Sequence, residues 1–293
     1  MWIALTAAVA AAAVAAAGGI MARTSFRYQL DELSVSLDRL PPAFDGTKLL
    51  FISDIHRRTI SDDVVARIQA AGGADLVLIG GDLRERKVPI DRTRSNVRQL
   101  ARVAPIYVVY GNHDYDEDMR PLEVMLQEER AKVLVNESVI LEKRDGSRIR
   151  LTGVDDPRTF RDRLELALSD PDDFSGTAAK PFTLVLAHDP ILAKRMNGAQ
   201  MLEVDLILSG HTHGGQITMP LIGPTWRGKE PSGYWRGWFD LAQREKTGAT
   251  GPRLFVSCGF GTSRLPLRFG APAQYHLLTL RSAASAPPAR GQS

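Results

Sequence analysis

Five short polar clusters along the chain contain side chains of the types that bind metal ions. They read Asp54-Ile55-His56, Gly80-Gly81-Asp82, Gly111-Asn112-His113-Asp114, His188-Asp189 and Gly210-His211-Thr212-His213. Carboxylate, amide and imidazole groups are ligands that suit Zn, Mn, Fe or Co. The single cysteine, Cys258, lies outside the clusters, which argues against a structural zinc site closed by thiolates. The clusters therefore predict a metal centre built from oxygen and imidazole ligands.

The histidines are concentrated in these clusters, and their spacing favours a shared site. Five of the six histidines of the chain lie there. Asp54 and His56 are separated by one residue, as are His211 and His213, so in an extended segment each pair points to one face. The sixth, His276, stands alone in an apolar segment, and we expect it to be a structural histidine with a hydrogen-bond partner.

An apolar run of strand length precedes each cluster. These runs are residues 49–52, 76–79, 106–110, 184–186 and 206–208. Short, fully apolar strands that alternate with helix-like segments indicate strands buried on both faces, which is typical of a layered α/β fold. Because ligands bind at the carboxyl ends of the strands in such folds, we expect all five clusters to meet at one edge.

The remaining segments complete a single predicted domain over residues 48–281. A helix is predicted over residues 61–71, a hairpin over residues 139–151 with Asp145-Gly146 at its turn, and final strands over residues 254–257 and 275–280. Residues 23–47 are predicted to be a lead-in segment, and residues 282–293 a disordered tail.

The amino terminus carries a long uncharged stretch. Residues 1–22 contain no charged side chain, and eleven of them are alanine. As a helix the stretch would be about 33 Å long, enough for a hydrocarbon core of about 30 Å. Three interpretations compete: a retained transmembrane anchor, a cleaved signal peptide, and a start at Met21. The anchor fits best, because no basic region precedes the stretch while Arg23 and Arg27 follow it and favour a cytoplasmic location for the rest of the chain.

Composition excludes several classes of protein. The chain has 293 residues, of which 44% are hydrophobic and 24% charged, so it is neither a disordered chain, nor a fibrous repeat, nor a membrane protein with many spans. Lysine and arginine total 37 against 34 aspartates and glutamates, and no basic stripe is present, which argues against nucleic acid as a partner. A lone cysteine cannot form an internal disulfide.

The order D-x-H, G-D, G-N-H-D, H and G-H-T-H resembles the calcineurin-like metallophosphoesterase superfamily. The resemblance covers residues 48–281, and the form G-H-T-H-G-G-Q, ending at Gln216, is similar to a branch that often carries an amino-terminal membrane segment. It implies an α-β-β-α sandwich with two divalent metal ions (Mn, Fe or Zn) at the carboxyl ends of the strands. The ligands implied for one ion are Asp54, His56, Asp82 and His213, and those for the other are Asp82, Asn112, His188 and His211, with Asp82 bridging.

The resemblance also implies roles around the metals. His113 would contact the phosphate or protonate the leaving group, and Glu85 would orient His113. Asp114 and Asp189 would either orient ligating histidines or cap turns. Many relatives have glycine after D-x-H, whereas this chain has Arg57-Arg58, which would either grip a substrate phosphate or form an exposed turn.

An aromatic and basic stretch, residues 226–239, has two interpretations. It holds three of the four tryptophans together with cationic side chains, which suits contact with lipid or a packed hairpin.

The predicted function is hydrolysis of a phosphodiester, phosphomonoester or pyrophosphate by a hydroxide activated by two metals. The substrate would be a membrane-derived compound. One example is a UDP-linked lipid, which similar membrane-associated enzymes cleave. The alternatives are a non-catalytic metal-binding scaffold of the same fold and a nuclease. We expect a single-pass protein of the cell membrane with its catalytic domain in the cytoplasm.

Overall fold

Two β-sheets packed face to face form the centre of the computed structural model, which describes residues 2–169, 180–219, 221–225, 231–241 and 251–285. The strands are β1 (Tyr28–Leu37), β2 (Lys48–Ile52), β3 (Leu76–Gly80), β4 (Ile106–Val109), β5 (Lys132–Val133), β6 (Glu137–Glu142), β7 (Arg148–Gly153), β8 (Phe182–Leu186), β9 (Leu206–Ser209), β10 (Thr218–Met219), β11 (Gly223–Pro224), β12 (Gly237–Asp240), β13 (Arg253–Val256) and β14 (Ala273–Ser282). Within the described residues, the first sheet has the order β1-β14-β2-β3-β4-β5 and the second has the order β12-β13-β9-β8-β7-β6.

The described residues form seven α-helices, and all but the first cover the outer faces of the two sheets. They are α1 (Trp2–Ser25), α2 (Asp62–Ala70), α3 (Ile90–Ala101), α4 (Arg120–Glu128), α5 (Leu164–Leu168), α6 (Leu192–Arg195) and α7 (Gly198–Glu203). Apolar residues of α2, α3 and α4 pack on the first sheet, and those of α5 and α6 pack on the second. The predicted α-β-β-α sandwich is therefore confirmed.

Strand β2 shows why its run is apolar throughout. Leu50 and Ile52 belong to the core under the helices, whereas Leu49 and Phe51 belong to the core between the sheets. Successive side chains of a strand point to opposite faces, so a strand covered on both sides needs apolar residues at every position. The parallel order β2-β3-β4 and the parallel trio β7-β8-β9 then bring the carboxyl ends of these strands to the same end of the sandwich.

The predicted strands and the hairpin form, and two predicted boundaries lie differently in the structure. Residues 28–37 of the lead-in segment are strand β1, which pairs in parallel with β14 along its whole length, so the first sheet begins before residue 48. At the other end, β14 runs to Ser282 and residues 283–285 form a short 3-10 turn. Residues 286–293 of the predicted tail lie outside the described residues.

Helix α1 ends against the loops that precede β14. The Arg268 backbone amide donates to the Met21 carbonyl oxygen at 3.1 Å, and the Ser25 hydroxyl donates to the Pro266 carbonyl oxygen at 2.9 Å. Within the part of the chain that the structure describes, no helix combines the length and apolar character that spanning a membrane requires.

Candidate metal centre

The predicted metal ligands follow five strands drawn from both sheets. Asp54 and His56 come after β2, Asp82 after β3, Asn112 after β4, His188 after β8, and His211 and His213 after β9. The two sheets face each other, so these loops meet at the carboxyl end of the sandwich. The site is therefore assembled from segments that are distant in the sequence.

Five of these residues adopt a backbone conformation that is unusual for anything except glycine. The φ angles are 55° at Asp54, 53° at His56, 51° at Asp82, 67° at His211 and 51° at His213. A non-glycine residue in this left-handed region costs about 1–2 kcal/mol, and such strain is found mainly at functional sites. The loops are held by their own hydrogen bonds, because the Asp54 amide donates to Gly81 and the His56 amide donates to Asp82.

The donor atoms form two groups. In the first, Asp54, His56 and His213 each offer an atom within 4.8 Å of the others, and in the second the same holds for Asp82, His188 and His211. The Nε2 atoms of His56 and His213 are 3.1 Å apart, and His213 Nε2 is 3.4 Å from Asp54 Oδ1. Nitrogen lone pairs and a carboxylate converge here, an arrangement that a cation stabilises.

The Asp82 carboxylate lies between the groups. Its Oδ2 atom is 3.6 Å from His56 Nε2 and 3.2 Å from His188 Nε2, and its Oδ1 atom accepts a hydrogen bond from the His113 amide at 2.8 Å. Asn112 Oδ1 is buried without a hydrogen-bond partner, as expected for an oxygen that has a ligand to bind. The donor set thus fits two divalent cations that share Asp82.

The electrostatics of the second group suit metal binding as well. Burial, together with the neighbouring His188, lowers the pKa of His211 to about 3, so its ring is neutral and can donate a lone pair. Burial alone would raise the pKa of Asp82, but the adjacent His188 holds that pKa below its usual range. Asp82 is therefore an ionised carboxylate.

Further contacts orient the ligating rings. His188 Nδ1 is 2.8 Å from the Gly80 carbonyl oxygen, the acceptor that fixes a ligating imidazole in one tautomer. Asp189 Oδ2 lies 3.5 Å from His211 Nε2, while its Oδ1 accepts from the Ile191 amide, so Asp189 both approaches a ligand and caps a turn. The Asp114 carboxylate accepts hydrogen bonds from the backbone amides of Gly111 and Arg84, so Asp114 stabilises the turn.

The acidic partners of two histidines differ from those predicted. Glu85 does not pair with His113: its Oε2 lies 3.2 Å from His56 Nδ1, and its other oxygen contacts Arg57. His113 Nδ1 instead lies 2.8 Å from Asp116 Oδ2. Asp116 follows His113 within one 3-10 turn, so proximity in the chain favours this pair. Glu85 instead contacts His56 and Arg57.

The two arginines after the D-x-H motif have partners within the chain. Arg57 pairs with Glu85. Arg58 lies over the Phe26 ring, with its guanidinium carbon 3.9 Å from the ring centroid, and donates to the Ser25 hydroxyl at 3.3 Å. The structure therefore places Arg58 against the end of α1 rather than among the metal ligands.

Arg268 is a functional candidate that sequence reasoning missed. Its side chain is fully buried, and Nη2 lies 3.2 Å from His213 Nδ1. It belongs to none of the polar clusters and follows no apolar strand, so the sequence carries no signal for it.

The aromatic stretch contacts the loop that carries His211 and His213, because the Thr212 hydroxyl donates to the Trp235 carbonyl oxygen at 2.6 Å. Residues 226–230 are outside the described residues, so only the second half of the stretch can be placed. There the Trp238 ring packs 4.7 Å from the Phe255 ring and the Tyr234 ring 4.8 Å from the Phe239 ring, which fits a packed hairpin. His276 is buried, and its Nε2 is 2.8 Å from the Ser257 hydroxyl, as expected for a structural residue.

Comparisons with known proteins agree with this site. The family described as calcineurin-like phosphoesterase matches residues 47–215. The uncharacterized protein YpbG of Bacillus subtilis is 34% identical over 79% of this chain and 80% of its own length. A transmembrane protein with metallophosphoesterase domain from Bos taurus is 30% identical over 86% of this chain and 56% of its own.

Among solved structures, the 5'-nucleotidase precursor from Thermus thermophilus is similar with a TM-score of 0.49 and 16% identity, over 80% of this chain and 54% of that chain. This chain thus spans about half the length of that protein. The family match covers more than half of the chain and includes all five polar clusters. The chain belongs to the calcineurin-like phosphoesterase family.

Proposed function

We propose that this protein is a metal-dependent phosphoester hydrolase with a dinuclear centre. The observation that carries the proposal is the position of Asp82, whose carboxylate lies within 3.6 Å of donors from both ligand groups. Asp54, His56 and His213 would hold one ion with Asp82, and Asn112, His188 and His211 would hold the other with Asp82. When bound, two such ions activate water and neutralise charge on the phosphoryl group.

His113 is the residue proposed to act on the substrate. Its side chain is partly exposed, whereas those of His56 and His188 are buried, so it can reach a group that enters from solvent. The Asp116 carboxylate, 2.8 Å from His113 Nδ1, would accept a hydrogen bond from an Nδ1–H group and so fix the orientation of the ring. His113 would either contact the phosphoryl oxygens or donate a proton to the leaving group. Glu85 would act through His56, whose ring it orients.

The proposed substrate is a phosphodiester, phosphomonoester or pyrophosphate. The specific substrate that we propose is a membrane-derived compound such as a UDP-linked lipid. Attachment to the cell membrane through residues 1–22, with the catalytic domain in the cytoplasm, belongs to the same proposal. It is supported by the uncharged amino-terminal stretch followed by Arg23 and Arg27, and by the name of the Bos taurus relative.

Hydrolysis of bis-p-nitrophenyl phosphate tests the proposal. We expect turnover with added Mn²⁺, Fe²⁺ or Zn²⁺, loss of turnover after chelation, and a decrease of about a hundredfold or more in Asp82→Asn. Asp91→Asn, an exposed carboxylate on α3, is the matched control and should keep full activity. Activity that survives both chelation and Asp82→Asn would refute the mechanism. Inactivity with every metal would favour a non-catalytic scaffold.

A further inference from the structure

An exposed apolar surface lies where the end of α1 meets the loops that follow the metal centre. We call it the apolar rim. Its residues are large hydrophobic side chains that are 41% to 107% exposed: Ile20, Phe26, Met219, Leu221, Ile222 and Leu265. Single exposed apolar residues are ordinary, whereas a group of this size marks a surface that contacts something other than water.

Hydrogen bonds join three separate segments into this one surface. The first is the β10–β11 hairpin, in which Met219 pairs with Gly223 and the tip carries Leu221 and Ile222. The Gln216 side chain, at the start of the hairpin, donates to the Leu265 carbonyl oxygen at 3.1 Å. The end of α1 joins through the bond from Ser25 to Pro266.

The hairpin tip keeps an exposed leucine at a strained position. Leu221 has a φ of 64° and is fully exposed. Glycine or asparagine would fit this turn at lower cost, since a branched side chain in the left-handed region costs about 1–2 kcal/mol. Neither packing nor turn geometry therefore accounts for Leu221.

The sequence segments that form the apolar rim carry charge of one sign. Residues 1–30, 206–229 and 246–293, which supply every segment of the rim, contain no aspartate or glutamate. The exposed side chains of Arg23, Arg27 and Arg264 flank the apolar residues. Apolar side chains surrounded by cations complement a surface that is apolar inside and anionic outside.

We propose that the apolar rim inserts into the headgroup layer of an anionic phospholipid bilayer. The inference deepens the membrane attachment proposed above and rests on it, but it concerns the hairpin and the Leu265 loop rather than the anchor. His213 lies three residues before Gln216, so the rim places the metal centre beside the membrane surface. A substrate embedded in the bilayer would then reach the metals without leaving the lipid surface.

Site-specific labelling of the full chain tests the proposal. Cys258 is the single native cysteine and is 2% exposed, so an introduced surface cysteine can be labelled selectively with the environment-sensitive fluorophore nitrobenzoxadiazole. The label is placed in Ile222→Cys at the hairpin tip, and in Val124→Cys on α4 as a control that is exposed and apolar in the native chain. Each labelled protein is mixed with vesicles of phosphatidylcholine alone or with phosphatidylglycerol added. Thermal melting verifies that both variants are folded.

If the rim inserts, the fluorophore at position 222 should show a blue shift and a several-fold gain in emission with vesicles that contain phosphatidylglycerol. The response should be weaker with phosphatidylcholine alone. The fluorophore at position 124 should show no change. An unchanged emission at position 222, or equal changes at both positions, would overturn the proposal. The readout needs neither metal nor turnover, so its failure is distinguishable from a failure of the hydrolase assignment. If the protein hydrolyses a soluble ester but its apolar rim does not insert into vesicles, the hydrolase proposal holds and the insertion proposal is overturned.

Discussion

The Arg268 guanidinium lies beside His213, one of the proposed metal ligands. Nη2 is 3.2 Å from His213 Nδ1 and also donates to the Cys258 carbonyl oxygen at 2.7 Å. Nη1 donates to the Pro272 carbonyl oxygen at 3.0 Å. Burial lowers the pKa of Arg268 to about 10, which leaves it positively charged at neutral pH. Nη1 also donates to the His213 backbone carbonyl oxygen at 3.3 Å, so one buried cation ties the His213 loop to the loops before β14.

Replacement of Arg268 should weaken both the fold and one metal site. In Arg268→Lys a single ammonium group replaces the guanidinium and cannot donate to carbonyl oxygens that lie in several directions. Some of the buried carbonyl oxygens that Arg268 contacts therefore lose their hydrogen-bond donor. Each buried acceptor left without a partner costs about 1–3 kcal/mol. We expect the free energy of unfolding to fall by about 2–4 kcal/mol and one metal per chain to be lost. Urea unfolding and elemental analysis measure the two effects.

The control for this variant is Arg98→Lys, because Arg98 is exposed and pairs with Glu129 on the protein surface. Exposed ion pairs contribute about 0–1 kcal/mol, so this change should alter stability little. An Arg268→Lys variant as stable as Arg98→Lys, with its full metal content, would show that the guanidinium has no positioning role.

Removal of the Glu85 charge should weaken metal binding. Glu85 Oε2 lies 3.2 Å from His56 Nδ1, and carboxylates at this position orient a ligating imidazole and raise its basicity. In Glu85→Gln we expect affinity for the ion at the Asp54 group to fall about 10–100-fold, as measured by metal titration. Glu128→Gln, which removes an exposed partner of Arg94, should bind metal like the parent. Equal affinities for both variants would contradict the assignment.

The position of the metal ligands could be predicted from the sequence because two local rules determine it. The runs 49–52 in β2 and 206–208 in β9 are apolar throughout, which indicates burial on two faces, so the polar residues that follow these runs must lie at strand ends. No long-range information is needed for this step. The same rules account for His188, which follows β8.

The partners of the ligands could not be predicted, because they depend on which loops meet in space. Nothing in the spacing of Glu85 distinguishes His56 from His113, and Arg268 reaches His213 across 55 positions of sequence. The sequence predicts a lead-in segment over residues 23–47, but residues 28–37 form strand β1. This strand is one of the two edge strands of the first sheet, where one side can remain exposed.

The contacts of Arg58 predict a role in docking α1 rather than in substrate affinity. Its guanidinium stacks on Phe26 and donates to Ser25. In Arg58→Ala we expect KM for bis-p-nitrophenyl phosphate to stay within about twofold of the parent, while cleavage by a protease near residues 23–27 becomes faster because α1 is held less firmly. A large rise in KM with unchanged proteolysis would instead support binding of a substrate phosphate by this arginine.

Metal binding should release protons, and the histidines that release them can be identified. In the metal-free protein burial acts to lower the pKa of His188, but the Asp82 carboxylate raises that pKa well above the usual value. Burial also opposes protonation of His56, yet its contact with Glu85 raises its pKa. The pKa of His211 is already low, so its ring is neutral at neutral pH.

Because a metal binds only the neutral ring, the raised pKa values of His56 and His188 favour proton release on binding, whereas His211 has no proton to lose at neutral pH. Metal affinity should therefore fall as the pH decreases through the raised pKa values, and calorimetry in buffers of different ionisation enthalpy should detect the released protons. His188→Asn should release fewer protons per metal than the parent, and His211→Asn should release as many. Equal decreases in the two variants would mean that both rings are protonated in the metal-free protein, contrary to the burial of His211.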